Sequence, residues 1–98
     1  MRVRFLSPAE VEMNDAAAFY EQQADGLGDR FLTEIERCIA QVALQRDIGH
    51  RVRGELRRVL ARKFPYSTAH GASREELTVV AIAHQSRRPH YWVECVAR

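Results

Sequence analysis

The feature that most constrains this 98-residue chain is the apolar run at residues 77–84, Leu-Thr-Val-Val-Ala-Ile-Ala-His. It holds two valines, an isoleucine and a threonine, whose β-branched side chains favour a pleated strand. Because the apolar residues follow one another almost without interruption, the pattern indicates a strand that is covered on both faces. The run is therefore predicted to be the most buried strand of a sheet.

The residues after this run bring an abrupt change of chemistry. Within nine residues the chain gathers two fixed positive charges, two titratable rings and two amphipathic aromatic rings. These residues are His84, Arg87, Arg88, His90, Tyr91 and Trp92. A charged and aromatic cluster at a strand end is typical of the surface where a small protein meets a partner.

Length and composition predict one soluble domain that spans residues 1–98. Hydrophobic residues make up 46% and charged residues 29%, which favours a folded domain over a disordered chain. No apolar stretch approaches the roughly 20 residues of a membrane span, and no signal peptide opens the chain, so a cytoplasmic location without membrane contact is expected. Cys38 and Cys95 lack metal-ligand spacing, and Cys38 is predicted to be a small core side chain. No metal and no cofactor are expected.

The formal net charge of +2 conceals an uneven distribution. Residues 1–50 hold five arginines against nine acidic residues, a net charge of −4. Residues 51–98 hold nine arginines and one lysine against four acidic residues, a net charge of +6. This polarity favours an anionic partner for the C-terminal half, although a solvated basic surface would give the same count.

The N-terminal half predicts a strand and a helix. Residues 2–6 alternate in polarity and indicate a short strand at a sheet edge. The next residues predict a helix start in which Ser7 caps the helix, Pro8 takes the first helical position and Glu10 completes a capping box. This helix is expected to reach about Gln23.

A second helix is predicted over about residues 29–46, after a glycine-rich break at residues 25–28. Two amphipathic helices with so short a connection form an antiparallel hairpin. The apolar stripe of the first helix contains Ala9, Met13, Ala16, Ala17 and Tyr20, and that of the second contains Phe31, Ile35, Cys38, Ile39 and Val42.

The remaining chain predicts three strands. Residues 55–62 form a basic strand, residues 64–66 form a bend at a proline, and residues 67–70 form a third strand that is weaker than its neighbours. Residues 71–76 form the turn into the apolar run. The order β-α-α-β-β-β predicts a two-layer α+β fold, an antiparallel-type sheet with the N-terminal helical hairpin on one face.

Short motifs occur in a fixed order over about residues 3–93. They are Phe5-Leu-Ser-Pro-Ala-Glu10, Ala16-Ala-Ala-Phe-Tyr-Glu21, Gly26-Leu-Gly-Asp-Arg-Phe31, Arg57-Arg-Val-Leu60, Phe64-Pro-Tyr66, Val79-Val-Ala-Ile-Ala-His-Gln85 and Arg87-Arg-Pro-His-Tyr-Trp92. In this combination and spacing the chain resembles the RelE/ParE superfamily of toxins from type II toxin–antitoxin systems, and more closely its ParE branch.

The resemblance implies a small toxin that is neutralised by an antitoxin encoded beside it, a ribbon-helix-helix or similar DNA-binding protein whose C-terminal segment wraps round the toxin. ParE-like members inhibit DNA gyrase, a role associated with plasmid stabilisation, whereas RelE-like members cut messenger RNA on the ribosome. For this chain the resemblance favours gyrase inhibition by binding. The alternatives are a ribosome-dependent mRNA endonuclease and a degenerate toxin that only binds its antitoxin.

Two departures from the family pattern bear on these alternatives. RelE-like nucleases carry an arginine directly after the tyrosine at the position of Tyr66, and this chain has Ser67 there. Residues 68–71, Thr-Ala-His-Gly, stand where relatives often have bulky aromatic residues and an arginine. The first departure weighs against RNA cleavage, and the second leaves open whether the chain is still toxic.

Candidate site residues follow from the cluster and from the resemblance. If the chain is an RNA endonuclease, Arg87, Tyr91 and His84 are the catalytic candidates, because cleavage needs charge on the phosphoryl oxygens and groups that move protons. The residues expected to contact a target or its phosphates are Arg57, Arg58, Arg62, Arg87, Arg88, Tyr91 and Trp92.

Each candidate also has a structural interpretation. His84 at a strand end suits a hydrogen bond that orders the fold, and Tyr91 and Trp92 suit packing over the end of the sheet. The arginines of the basic strand, with Lys63, suit a solvated face or an antitoxin-binding surface equally well. The helical hairpin and the basic strand are expected to offer an apolar groove rimmed by arginine, which fits an acidic amphipathic helix or an added strand.

Overall fold

The computed structural model describes residues 2–85, which form two helices and five strands. In chain order these are β1 (Arg2–Phe5), α1 (Ser7–Gln23), α2 (Leu27–Leu44), β2 (His50–Arg53), β3 (Leu56–Leu60), β4 (Tyr66–Ala72) and β5 (Glu76–His84). The strands form one sheet in the order β1-β5-β4-β3-β2, and the two helices pack on one of its faces. The predicted two-layer α+β fold with an N-terminal helical hairpin is confirmed.

Two details of the predicted β-α-α-β-β-β order are corrected by the structure. A further strand, β2, precedes the basic strand and pairs with it in antiparallel fashion. The sheet is also mixed, because β1 runs parallel to β5, with Arg2 opposite Glu76 and Phe5 opposite Val79. The parallel pair arises because the whole α1–α2 hairpin, and then the other strands, lie between β1 and β5 in the chain.

The apolar run is the buried strand that its sequence predicts. In β5, Leu77 and residues 79–83 are buried, and β1 and β4 lie on either side of it. The third predicted strand is stronger than expected. It spans Tyr66–Ala72, lies in the middle of the sheet and buries residues 67–70. Small side chains suit this position because β4 takes its order from backbone pairing with a strand on each side.

The main core lies between the helices and the sheet. It joins residues from α1, α2 and β5, and partly buried aromatic side chains pack around it. Its fully enclosed members are Ala9, Ala16, Phe31, Ile35, Val79 and Ile82. A smaller cluster of Ala69, Val80 and Ala81 on the opposite face packs with Leu6, Val52 and Leu56.

The start of α1 differs from the predicted capping box. Helix α1 begins at Ser7 itself, Leu6 is the capping residue, and no side chain caps the helix. The carbonyl of Leu6 instead accepts a hydrogen bond from the backbone N–H of Glu10, and proline still occupies the first turn. The chain leaves β1 directly into the helix, so that Ser7 is already helical and cannot cap it.

The turn between the helices depends on two glycines and one carboxylate. Gly26 has a φ of 84°, which is the left-handed region that glycine adopts freely. The Glu21 carboxylate accepts hydrogen bonds from the backbone N–H groups of Gly26 and Gly28, both at 3.0 Å. A Cβ on Gly28 would lie 2.6 Å from the carbonyl oxygen of Ala17, so α1 and α2 approach closely only because residue 28 is glycine.

Strand β5 continues beyond the end of β1. There a side chain, in place of a neighbouring strand, accepts a hydrogen bond from the backbone of β5. The last backbone bond to β1 joins Leu6 N–H to Val79 O. Further along, the Ile82 N–H donates to the Glu12 carboxylate of α1 at 3.1 Å. Within residues 2–85, neither helix is long and apolar enough to cross a membrane.

Candidate partner-binding groove

An open groove of about 680 Å³ lies between the helical hairpin and the loop that joins β3 to β4, residues 61–65. We call it the hairpin groove. Its apolar lining consists of Tyr20, Leu27, Phe64 and Pro65. Its polar lining consists of Arg30, Thr33, Glu34, Arg37, Arg62 and Lys63. The groove therefore combines an aromatic floor with a rim of four cations and one carboxylate.

The floor is built on aromatic rings that pack edge to face or at a tilt. Tyr20 and Phe64 meet edge to face with ring centroids 5.0 Å apart, and Phe31 packs against both at 5.3 Å. Burial raises the pKa of Tyr20, and the neighbouring Tyr66 raises it further, so the Tyr20 phenol stays neutral. Edge-to-face pairs of this kind add about 0.5–1.5 kcal/mol each beyond the area they bury. The floor is a preformed apolar surface.

Glu34 ties the two walls of the groove together. Its carboxylate accepts two hydrogen bonds from the Arg37 guanidinium, at 2.8 and 2.7 Å. The same carboxylate accepts the backbone N–H of Arg62 at 2.6 Å, which fastens the β3–β4 loop to α2. Hydrogen bonding from Arg37 is the main cause that lowers the pKa of Glu34 to about 2; burial opposes it and the Arg62 backbone supports it.

Cys38 lies next to this network and takes no reactive role in it. The side chain is fully buried, as predicted for a small core residue. Burial raises the pKa of its thiol to about 11, and the Glu34 charge adds to the shift. The thiol therefore stays protonated, which leaves it a poor nucleophile.

The Glu34→Gln variant is expected to lose about 1.5–3 kcal/mol of stability at neutral pH, the usual contribution of hydrogen bonds to a charged group. A carboxyl group whose pKa is lowered on folding stabilises the fold above its unfolded pKa, and that stability is lost as pH falls towards the folded pKa. The stability that Glu34 adds should therefore disappear between about pH 4.5 and about pH 2. Urea unfolding at several pH values measures the difference.

Glu36 provides the matched control for this measurement, because it is exposed on the same helix and makes no hydrogen bond among the described residues. Glu36→Gln should leave stability within about 0.5 kcal/mol of the wild type. Equal losses from the two substitutions would show that Glu34 does not hold the β3–β4 loop.

Comparison with known proteins places this geometry in a recognised fold. No family model matches the chain. No curated protein matches it either. Among solved structures, the chain matches a protein from the chromosomal ParDE toxin–antitoxin system of P. aeruginosa with a TM-score of 0.62. The match covers 86% of this chain and 95% of that chain at 14% sequence identity. This chain has a ParE-like fold.

In this ParE-like fold, His84 lies in a second, smaller cleft of about 290 Å³. The His84 ring meets the ring of Tyr66 edge to face with centroids 5.1 Å apart. Glu12 and Asp15 of α1 also line the cleft, together with the exposed ring of Phe19. Two carboxylates beside His84 make the described part of this cleft acidic, which disfavours the approach of a phosphate.

The three described arginines among the predicted contact residues do not form one site in the ParE-like fold. Arg57 is paired with His70, whereas Arg58 is paired with Ala69, so their side chains leave opposite faces of β3. Arg62 lies at the hairpin groove. The other predicted residues, Arg87, Arg88, His90, Tyr91 and Trp92, lie outside the described residues. Within residues 2–85, no three side chains of the metal-binding types come close enough to hold an ion.

An arginine-rimmed groove is present beside the helical hairpin, but its other wall is the β3–β4 loop and not strand β3, and most of its lining was not anticipated from sequence. Arg30, Glu34 and Arg37 lie on α2 at spacings of four and three residues, and this spacing alone places them on one helix face. Tyr20 and Phe64 were predicted only as packing and bend residues, although both line the groove. The helical periodicity could have indicated the polar lining residues, because polar residues that recur beside the buried face of an amphipathic helix lie at the border of that face.

Proposed function

We propose that this chain is the toxin of a type II toxin–antitoxin pair and that an acidic amphipathic segment of its antitoxin binds in the hairpin groove. The observation that carries the proposal is the apolar groove with a cationic rim, in a chain with a ParE-like fold. An amphipathic helix laid in a groove buries its apolar side chains on the floor and points its acids to the rim. A ribbon-helix-helix or similar DNA-binding protein, encoded beside the toxin, is the proposed source of this segment.

Most cations at the rim make no ion pair with another described residue and can pair with such a partner. Arg37 is engaged with Glu34, the only carboxylate among the described residues that line the groove. Arg30, Arg62 and Lys63 make no ion pair with another described residue. Cations that lack an internal partner attract an acidic segment and pair with it on binding. The affinity should therefore be high at low salt and weaken as salt rises.

The proposed toxic action is binding to DNA gyrase in the cytoplasm, without catalysis by the toxin. Two observations favour this over RNA cleavage. Ser67 is buried in β4 at the position that follows Tyr66, where RelE-like nucleases carry an arginine. The described residues around His84 include the carboxylates of Glu12 and Asp15. The cluster of Arg87, Arg88, Tyr91 and Trp92 is then proposed as a contact surface for the target.

Brief induction of the chain in growing cells tests the action. Gyrase inhibition predicts that cleaved DNA accumulates while messenger RNA stays intact, and that growth resumes when the neighbouring short reading frame is expressed as well. Reproducible cuts in messages, found by primer extension and absent from Arg87→Ala, would replace gyrase inhibition with RNA cleavage. Unimpaired growth with retained antitoxin binding would identify a degenerate toxin.

Charge reversal at the rim tests the groove itself. The Arg30→Glu, Lys63→Glu variant should bind the antitoxin at least about 100-fold more weakly than the wild type, because truncation of interface hot spots already costs about 2 kcal/mol or more and reversal adds repulsion. Isothermal titration of purified partners measures the loss.

Arg2 and Arg74 serve as the control for this titration, because both are exposed and their side chains make no hydrogen bond or ion pair among the described residues. Arg2→Glu, Arg74→Glu should keep the affinity within about threefold, a change of less than about 1 kcal/mol. A similar loss in both variants would show that only overall charge matters, and the groove would no longer be the binding site.

A further inference from the structure

The β2–β3 hairpin is an accessible ribbon at the edge of the sheet. Within residues 2–85, strand β2 is the last strand of the sheet and pairs only with β3. The helices pack mainly on β5 and β4, so the hairpin extends beyond the helical layer. Among its residues, only Val52 and Leu56 pack against a buried cluster, and they do so on the face opposite the helices. No other described segment covers either face of the ribbon near its outer edge.

Positive charge is concentrated on this ribbon. Residues 50–58 contain Arg51, Arg53, Arg57 and Arg58 and a single acid, Glu55, in the turn. None of the four arginines makes an ion pair with another described residue. Arg51 lies directly opposite Arg57, and like charges in this cross-strand position destabilise a sheet. The Arg57 guanidinium donates to the Gly49 carbonyl oxygen at 3.0 Å, but no described carboxylate neutralises the pair, and an anionic partner would offset its repulsion.

The pairing register distributes the charge over both faces of the ribbon. Arg57 is paired with Arg51 and His70, which places these arginines on the helix side of the sheet. Arg58 is paired with Ala69, a member of the cluster on the opposite face. Cations on one face would suit a flat anionic surface such as a lipid headgroup layer. Cations on both faces suit a cleft with two anionic walls.

We propose that the β2–β3 hairpin binds double-stranded DNA by entering the major groove, with Arg51 and Arg58 directed at the two phosphate backbones. The major groove of B-form DNA is about 12 Å wide and admits a two-stranded β-ribbon. The major groove of A-form RNA is deep and too narrow for side chains to read, so an RNA duplex does not fit this geometry. The proposal is independent of the hairpin groove and of the antitoxin, since none of these arginines lines that groove.

Fluorescence anisotropy with the purified full chain tests the proposal, using a labelled DNA duplex and an RNA duplex of the same sequence. The DNA duplex should bind at least about tenfold more tightly than the RNA duplex at physiological salt. Each phosphate contact contributes about 0.9 to the slope of log affinity against log salt. Arg51→Gln, Arg58→Gln should therefore lower that slope by about 2 on DNA.

Two control variants remove the same charge elsewhere: Arg2→Gln, Arg74→Gln on the surface and Arg30→Gln, Lys63→Gln at the hairpin groove. Both should keep the DNA slope of the wild type, and Arg58→Gln alone, which removes one proposed phosphate contact, should lower it by about 1. The proposal would be overturned if the β2–β3 hairpin variant and the control variants lost equal amounts of the salt slope. Equal or tighter binding of RNA, or no saturable binding of DNA, would also overturn it. Failure of antitoxin binding would leave this result unaffected.

Discussion

Gly28→Ala is expected to lower the free energy of unfolding by about 3 kcal/mol, at the upper end of the usual cost of overpacking. The added methyl group would lie 2.6 Å from the Ala17 carbonyl oxygen, a backbone atom that cannot rotate away. Helix α2 must then move away from α1, which also disturbs the two hydrogen bonds to Glu21. For a domain of this size, the melting temperature should fall by at least about 10 °C, as differential scanning calorimetry would show.

Gly26→Asn is the matched substitution for this experiment. Gly26 has a left-handed backbone, unlike the helical Gly28, and nothing lies within 4 Å of the Cβ that asparagine would add. Asparagine tolerates that conformation better than other side chains, so the loss should stay below about 1 kcal/mol. If both variants melt at the same temperature, the close approach of Gly28 to α1 is not what stabilises the helical hairpin.

His70→Leu is expected to make the fold less sensitive to mild acid. The His70 side chain is buried in β4, and neither ring nitrogen makes a well-formed hydrogen bond. Burial lowers the pKa of His70; the Thr68 backbone opposes this shift and the charge of Arg57 adds to it. The unfolded chain therefore binds a proton more readily than the folded one, so stability falls as pH drops below about 6.5, by up to about 1.4 kcal/mol per pH unit.

The His70→Leu variant should lose this part of the acid dependence. Its stability near pH 7 should equal or exceed that of the wild type, because a buried polar ring without good partners is replaced by an apolar side chain of similar size. Urea unfolding between about pH 5 and 7.5 measures both effects. Exposed His50 supplies the control, His50→Gln. If His70→Leu keeps the wild-type dependence of unfolding free energy on pH, groups other than His70 cause that dependence.

The helices and the buried strand could be predicted because their signals are local. The 3.6-residue spacing of Phe31, Ile35 and Val42 defines the buried face of α2, and the β-branched run defines β5. Strand β2 was missed because it holds one apolar residue and lies at an edge, so its sequence shows no buried face. Strand β4 was underestimated because its small side chains carry little intrinsic preference and its order comes from pairing on both sides.

The candidate site was predictable in kind but not in detail. An arginine-rimmed groove beside the basic strand follows from charge and element order. The link from Glu34 to the Arg62 backbone joins residues 28 positions apart, and no local pattern indicates such a contact. Strand alternation alone predicts that Arg57 and Arg58 point to opposite faces of the sheet. Which residues lie beside each arginine depends on the pairing register with β2 and β4.

The bond from Ile82 to Glu12 has a consequence for how the chain can associate. An unpaired backbone donor beyond the end of a short edge strand invites another chain to extend the sheet and so to aggregate. Here a carboxylate from α1 occupies the Ile82 donor, and its negative charge discourages an incoming backbone carbonyl. A strand added at this edge would first have to displace Glu12. Sheet extension is therefore easier at β2, and the first helix of the chain protects this edge of β5 from self-association.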